Sequence, residues 1–201
     1  MRRARRQYRR KIARHSSRRL KFIDETGCNI AMMRRGSRAT PGVRVKDAVP
    51  KSFGRNVTVL GALSCQGLEA VMTIDSATGA TVFRTYVNHV LIPTLRPGDV
   101  VVMDNLSAHT VAGIEQAIEG VGATLIYLPP YSPEFSTIEN CWSKLKTKLR
   151  SAKARTRQAL DEALRAAIDS TSAADAQGWL SIAVIPYIDV KRDVKSSKGW
   201  P

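Results

Sequence analysis

An α/β fold, with a mixed sheet flanked by helices, is what the order of apolar patterns in this chain predicts. Three observations carry that expectation. A strand-like run comes first, a β-branched hairpin follows it, and helical and strand periodicities then alternate to about residue 150. Interleaving of that kind buries strands between helices.

The first strand is LKFID (20–24), a short apolar run ending in acid. Residues 34–56 are rich in Gly, Pro and basic side chains and read as a long loop. NVTVLGALS (56–64) and LEAVMTID (68–75) are β-branched runs on either side of CQG, which predicts a hairpin. In ATVFRTYVNHVLIPTL (80–95), Val82, Phe83, Tyr86, Val87, Val90 and Leu91 recur at helical spacing, and Pro97-Gly98 stops the helix. DVVVMD (99–104) is continuously apolar, the pattern of a strand covered on both faces.

A helix is expected over roughly 109–120, with Val111, Ile114, Ala117 and Ile118 inward and Gly120 and Gly122 at its end. ATLIYL (123–128) is the next strand, stopped by PPYSP. From Ser136 the pattern is helical again, with Ile138, Trp142, Leu145 and Leu149 on one face. A last helix covers about 156–170. The sequence of strand, hairpin, helix, strand, helix, strand, helix is the arrangement of an RNase H-like fold. In such sheets, sites form at the carboxyl ends of strands.

At 201 residues and 43% hydrophobic content the chain supports one substantial core. No apolar run reaches about 18 residues, which excludes a spanning helix. SIAVIPYI (181–188) is too short and is broken by Pro186. The basic beginning leads into a strand-like segment, which is not the pattern of a secretory signal. Cys28, Cys65 and Cys141 have neither disulfide-framework nor zinc-ligand spacing, so they read as reduced thiols of a cytoplasmic protein.

The net charge of +15 is unevenly placed: residues 1–21 hold eleven Lys/Arg and no acid, which leaves +4 for the rest. Residues 1–19 are read as a basic arm whose Arg2, Arg3, Arg5, Arg6, Arg9 and Arg10 are candidate DNA contacts. Phosphate contacts of this kind release counterions and give affinity without sequence choice. The plain alternative is a solvated arm with no dedicated partner. An anionic membrane fits less well, because Tyr8 and Ile12 are the only sizeable apolar side chains there.

Three acids stand out: Asp24 in LKFIDETG, Asp104 in DVVVMDN and Glu139 in SPEFSTIENCW, the last two with 34 residues between them. Phosphodiester chemistry needs charge neutralised on the attacking and leaving oxygens. Two Mg2+ do this, held by a few carboxylates as hard oxygen ligands. Asp24, on the more central strand, is the candidate for the ligand shared by both ions. On the helix that begins at Ser136, Glu139, Lys146 and Arg150 lie beside the apolar stripe, so cations follow the acid along a path for a DNA backbone. Lys144 joins them as a candidate contact. Taken singly, each acid is as readily an ordinary surface or helix-dipole charge.

FIDETG, VVMDNLSAH and YLPPYSPEFSTIENCWSKLK, in that order across residues 20–150, resemble the catalytic domain of the mariner superfamily of transposases, in its bacterial insertion-sequence branch. The PPYSP string followed by IEN-x-W-S-x-LK is the specific part. The resemblance implies a DDE catalytic domain over 20–171, with Asp24, Asp104 and Glu139 as ligands of two Mg2+ (or Mn2+) ions. Asn105, His109 and Asn140 match positions that support the site. The implied activity is cleavage of double-stranded DNA at transposon ends, followed by attack of the freed 3′-hydroxyl on target DNA at a TA dinucleotide. The implied assembly is a homodimer during reaction, nucleoid-associated in a bacterial cytoplasm.

The chain departs from the family pattern in four places. Ser136-Thr137 replaces the usual Asn-Pro, and Ser136 with Glu139 fits a capping box that would tie the acid back to the helix start. MRRGSRATPGVR only approximates the family's Arg/Gly-rich stretch. A basic arm stands where helix-turn-helix modules usually precede the domain. Residues 172–201 are a divergent tail. A catalytically impaired DNA-binding remnant or regulator is therefore the alternative reading. Of the remaining residues, Glu25 is assigned to the opposite strand face, Asp75 is the reserve ligand, and Glu134 is read as surface. Tyr131 and Trp142 are read as packing, and Asp47, Asp99 and the acids beyond 160 as surface charges.

Overall fold

β1 (Leu20–Cys28) is the strand around which the rest assembles. It pairs antiparallel with β2 (Val57–Ser64) on one side and parallel with β4 (Val100–Met103) on the other. β3 (Gly67–Ile74) extends the antiparallel side as a hairpin, and β5 (Thr124–Tyr127) extends the parallel side. The order is β3-β2-β1-β4-β5, a mixed sheet. These features come from a computed structural model that describes residues 2–36, 38–105 and 113–184, with side chains to residue 181.

Successive side chains on a strand point to opposite faces, and the core divides accordingly. Leu20, Phe22, Val100 and Val102 enter one cluster, while Ile23, Val101 and Met103 enter the other. The second cluster is closed by α2 (Ala80–Tyr86), which continues through a π turn at Val87–Leu91, and by α3 (Ile114–Gly120). The first is closed by α4 (Ile138–Ala152), α5 (Arg157–Asp169) and α6 (Ala173–Val184). The fold is the RNase H-like arrangement the element order predicts.

α4 is the helix that matters for the site. Ile138, Cys141, Trp142, Leu145 and Leu149 are all buried and follow the i, i+3, i+4 stripe of one helix face. Truncating such a residue to Ala typically costs about 2–5 kcal/mol. The helix ends where Lys153 takes a left-handed conformation, φ 51°. α5 then begins at Thr156, whose hydroxyl accepts from the Ala159 N–H at 3.2 Å, a cap of the kind worth about 1 kcal/mol.

The arm and the tail differ from the sequence reading. Residues 2–12 of the basic arm form α1, and its Tyr8 and Ile12 join the first core cluster. The tail joins the same cluster through Ala176 and Leu180 of α6, so the boundary at 171 does not separate it from the core; residues 185–201 lie outside the described residues. Asp99 is also no surface charge. It is 4% exposed, accepts from the Arg96 N–H at 2.9 Å and pairs with Arg19 at 3.4 Å. No helix among the described residues is long and apolar enough to cross a membrane.

Candidate active site

Register brings the first two acids together. Phe22 pairs with Val102 across the parallel β1–β4 ladder. Asp24 and Asp104 each lie two positions beyond that pair, on the face that α4 covers. Pairing to β4 stops at Phe22, whereas β1 itself runs on to Cys28 against β2. Asp24 is thus not at the end of its strand, as expected, but at the point where the neighbouring strand leaves it. That divergence opens the carboxyl end of β4 and the middle of the sheet into a pocket of ≈ 440 Å³ lined by both acids, Asn105, the Leu128–Pro133 loop, Ser136 and Glu139.

Glu139 reaches this pocket as the second residue of α4 and is exposed. Thr137, not Ser136, stands at the N-cap, and no side-chain capping bond forms there. The Glu139 N–H bonds instead to the Ser136 carbonyl at 3.2 Å. The capping box suggested by the sequence is absent, and the Glu139 carboxylate remains at the pocket.

Asp24 carries the main electrostatic signature. Its pKa rises from 3.8 to about 7, first because burial removes water from the charged form. The negative charges of Glu139 and Asp104 add to this, while the Glu25 backbone N–H and the Trp142 indole oppose it. The Trp142 Nε1–H donates to Asp24 Oδ2 at 3.2 Å. Room for that indole comes from Gly61, the register partner of Asp24 on β2. A Cβ at residue 61 would stand 3.2 Å from Trp142 Cη2 and 3.0 Å from Leu68 Cδ1.

Among the described residues, the pocket lining holds three carboxylates and no Lys or Arg, on a chain of net charge +15. No three His, Cys, Asp or Glu side chains among the described residues stand close enough for a closed metal cage. The donor set nonetheless fits hard divalent cations that keep waters and substrate phosphates as part of their shell, since such ions need only one or two carboxylates each. Cys28 and Cys141 are no part of this chemistry: burial pushes both thiols up to about 11.

The other candidates separate cleanly. Asn105 lines the pocket, whereas the Asn140 amide turns back to donate to the Thr137 carbonyl at 3.4 Å. His109 lies outside the described residues. Asp75 is ion-paired to Arg157 and shares a different pocket with Glu25, so it does not join the three acids. Trp142 packs as expected, 2% exposed, but Tyr131 does not: it is 82% exposed at the pocket rim with φ 52°. Arg2, Arg3, Arg6 and Arg10 are exposed. Arg5 and Lys144 are held internally instead, Arg5 by Ser132, Tyr131 and Glu134 and Lys144 by Asp175 and Ser170. Arg9 lies over the Phe135 ring.

Sequence reasoning missed the Trp142–Asp24 bond and the role of Gly61. A glycine inside a β-branched run was the available signal, because it marks close approach by another group.

Residues 19–161 match the family described as DDE superfamily endonuclease. Comparison by sequence with curated proteins gives no match. Among solved structures, the chain is similar to the Mos1 transposase paired-end complex with left transposon end (15% identity, TM-score 0.74), covering 90% of this chain and 58% of that one. It is also similar to the Mos1 mariner paired end complex with Mn (15%, TM-score 0.71, 91% and 59%) and to that with Mg (16%, TM-score 0.69, 90% and 58%). The chain therefore spans under two thirds of the Mos1 chains, and at these identities the likeness is one of fold. With the family match covering most of its length and all three acids, the chain belongs to the DDE superfamily endonucleases.

Proposed function

We propose that this domain performs metal-dependent cleavage of DNA at transposon ends and strand transfer into target DNA, as the catalytic part of a mariner-superfamily transposase of the bacterial insertion-sequence branch. One observation carries the reading: Asp24, Asp104 and Glu139, from two neighbouring strands and the start of α4, converge on one pocket whose described lining holds no Lys or Arg, in a strongly basic protein. DNA is drawn to the surface and repelled by the pocket unless divalent cations neutralise it. Asp24, Asp104 and Glu139 would hold two Mg2+ or Mn2+ ions, with Asp24 shared. When bound, the ions neutralise charge on the attacking and leaving oxygens of the phosphodiester. The Mos1 structures with Mg and with Mn support this choice of ion.

The chain's own residues do the positioning. Trp142 orients the Asp24 carboxylate by its hydrogen bond, and Asn105 supplies an amide at the pocket wall. Glu139 and Arg150 are eleven residues apart, which returns them to within about 20° on the helix and separates them by roughly 16 Å. That is about five base pairs of duplex at 3.4 Å per step. Arg150 shares a second pocket with Arg34, Arg35, Thr147 and Ser151, a fitting seat for a backbone phosphate. Lys146 lies between the two sites. Arg2, Arg3, Arg6 and Arg10 extend the basic surface on α1. Joining two ends requires two copies, so the working form is a homodimer bound to transposon ends and target, in a bacterial nucleoid.

The test is cleavage of a duplex carrying the DNA that flanks the gene, with Mg2+. Nicks bearing 3′-hydroxyls that disappear in Asp104→Ala, with the fold retained, support the reading. Cleavage unchanged in Asp104→Ala overturns it, and metal-dependent DNA binding without cleavage favours the impaired remnant.

A further inference from the structure

The wall of the acidic pocket has one short 3-10 turn of its own, Pro133–Phe135, with the Phe135 N–H bonded to the Ser132 carbonyl at 3.1 Å and the Ser136 N–H to the Pro133 carbonyl at 2.9 Å; the stretch before it depends on other elements. Between Leu128, whose N–H bonds to the Met103 carbonyl at 2.8 Å, and the first turn of α4, the loop contains Pro129, Pro130 and Pro133, none of which has an N–H to donate. Tyr131 stands in the left-handed region at φ 52°, a conformation that non-glycine residues keep only when the surroundings impose it. The surroundings here are α1. Arg5, Tyr8, Arg9 and Ile12 fall at i, i+3, i+4 and i+7, one face of that helix.

Arg5 Nη2 donates to the Tyr131 carbonyl at 2.9 Å and meets Glu134 Oε1 at 3.0 Å, while Nε donates to Ser132 Oγ at 3.0 Å. Ser132 is 3% exposed and passes the contact on by donating to the Pro130 carbonyl at 3.2 Å. Four residues before Glu139, the Phe135 ring stacks on Tyr8 at 5.2 Å and lies under Arg9 at 5.2 Å. Through these contacts the chain enters α4, and the place of Glu139 is set by that entry.

We infer that α1 is the strut of the acidic pocket, with Arg5 a positioning residue whose guanidinium fork fixes the Pro129–Ser136 loop and thereby Glu139. The opposite face of α1 presents Arg2, Arg3, Arg6 and Arg10. A helix so rich in like charge repels itself, and phosphates laid along that face relieve the repulsion. The catalytic part of the inference rests on the proposed nuclease reading; the loop-ordering part does not.

Two measurements on Arg5→Ala, Arg5→Lys and Ser132→Ala test it. In metal-free, DNA-free protein, amide exchange in residues 131–139 rises in all three variants, while exchange in α5 stays at the wild-type level. In single-turnover cleavage at saturating DNA and metal, Arg5→Ala and Arg5→Lys each lose about tenfold or more, since a displaced reacting group is costly in rate. Arg5→Lys keeps the charge, so its DNA affinity stays within about twofold of wild type. If Arg5→Ala does not fold, the other two variants decide. Wild-type exchange in the loop of Arg5→Lys and Ser132→Ala overturns the inference, as does a wild-type cleavage rate in Arg5→Lys. A wild-type protein that never cleaves sinks the nuclease reading, and the exchange data alone then decide whether α1 orders the loop.

Discussion

Asp24→Asn should make the metal-free protein more stable at neutral pH while removing its activity. The carboxyl sits partly buried against the Trp142 indole, with the charges of Glu139 and Asp104 nearby. Its folded-state pKa of about 7 lies above the ordinary 3.8. Between those values the folded chain binds more protons than the unfolded one, so stability is lost as pH rises from about 4 to 7 and stays low above. At 1.36 kcal/mol per pKa unit, the ionised carboxylate opposes folding by an upper figure on the order of 4 kcal/mol. An effective dielectric near 20 and water in the open pocket bring the expected effect to roughly 2–3 kcal/mol. Asn keeps an oxygen for the indole and never ionises. Urea unfolding in EDTA from pH 5 to 8.5 reads the effect. Wild type should fall by that amount and Asp24→Asn should lack this component, and added Mn2+ should stabilise wild type alone. An Asp24→Asn protein less stable than wild type at pH 8, with the same pH slope, would refute the reasoning.

Trp142→Phe removes the donor to Asp24 and keeps most of the ring, so Mn2+ affinity should fall roughly tenfold, within the range for partners of metal ligands; unchanged affinity in a calorimetric titration would disprove the role. Gly61→Ala pushes on the same indole and on Leu68, with an expected cost of about 1–3 kcal/mol in urea unfolding and weaker Mn2+ binding. Lys144→Met and Arg150→Glu should behave oppositely. The first loses the tie to Asp175 and Ser170 and lowers Tm by roughly 2–4 °C with DNA affinity unchanged. The second leaves Tm in place and reduces both DNA affinity and its salt slope; filter binding at several salt concentrations and a melting scan distinguish them.

The sheet and its helices were legible because their patterns are strong. VVVM reads as a covered strand, and the Ile138–Leu149 stripe reads as a buried helix face. Asp24 and Asp104 were legible because they follow apolar runs whose register is fixed by the core on both faces. What stayed hidden depends on contacts distant in sequence. Seven Lys/Arg within α1 suggested a basic arm for DNA phosphates, with no sign that Tyr8 would stack on Phe135, more than a hundred residues away, or that Tyr8 and Ile12 would join the core. Two apolar side chains on one helical face were enough, and composition outweighed that signal. The capping box failed because the helix starts one residue later than Ser136 requires, a boundary that local pattern does not fix. Tyr131 was taken for packing on its ring, whereas its left-handed backbone turns it out to solvent. Asp99 looked like an ordinary charge beside Gly98 because its partner Arg19 lies eighty residues away and is identified only once the strand ends meet.

The most direct test of the central claim, that the three carboxylates are metal ligands for phosphodiester cleavage, is the metal preference of Asp104→Cys. A thiolate is a poor ligand for Mg2+ and a better one for softer ions. The account predicts that Asp104→Cys cleaves end-bearing DNA negligibly in Mg2+ and recovers a measurable rate in Mn2+, relative to wild type in each metal. Cleavage by Asp104→Cys in Mg2+ at the wild-type rate would contradict it.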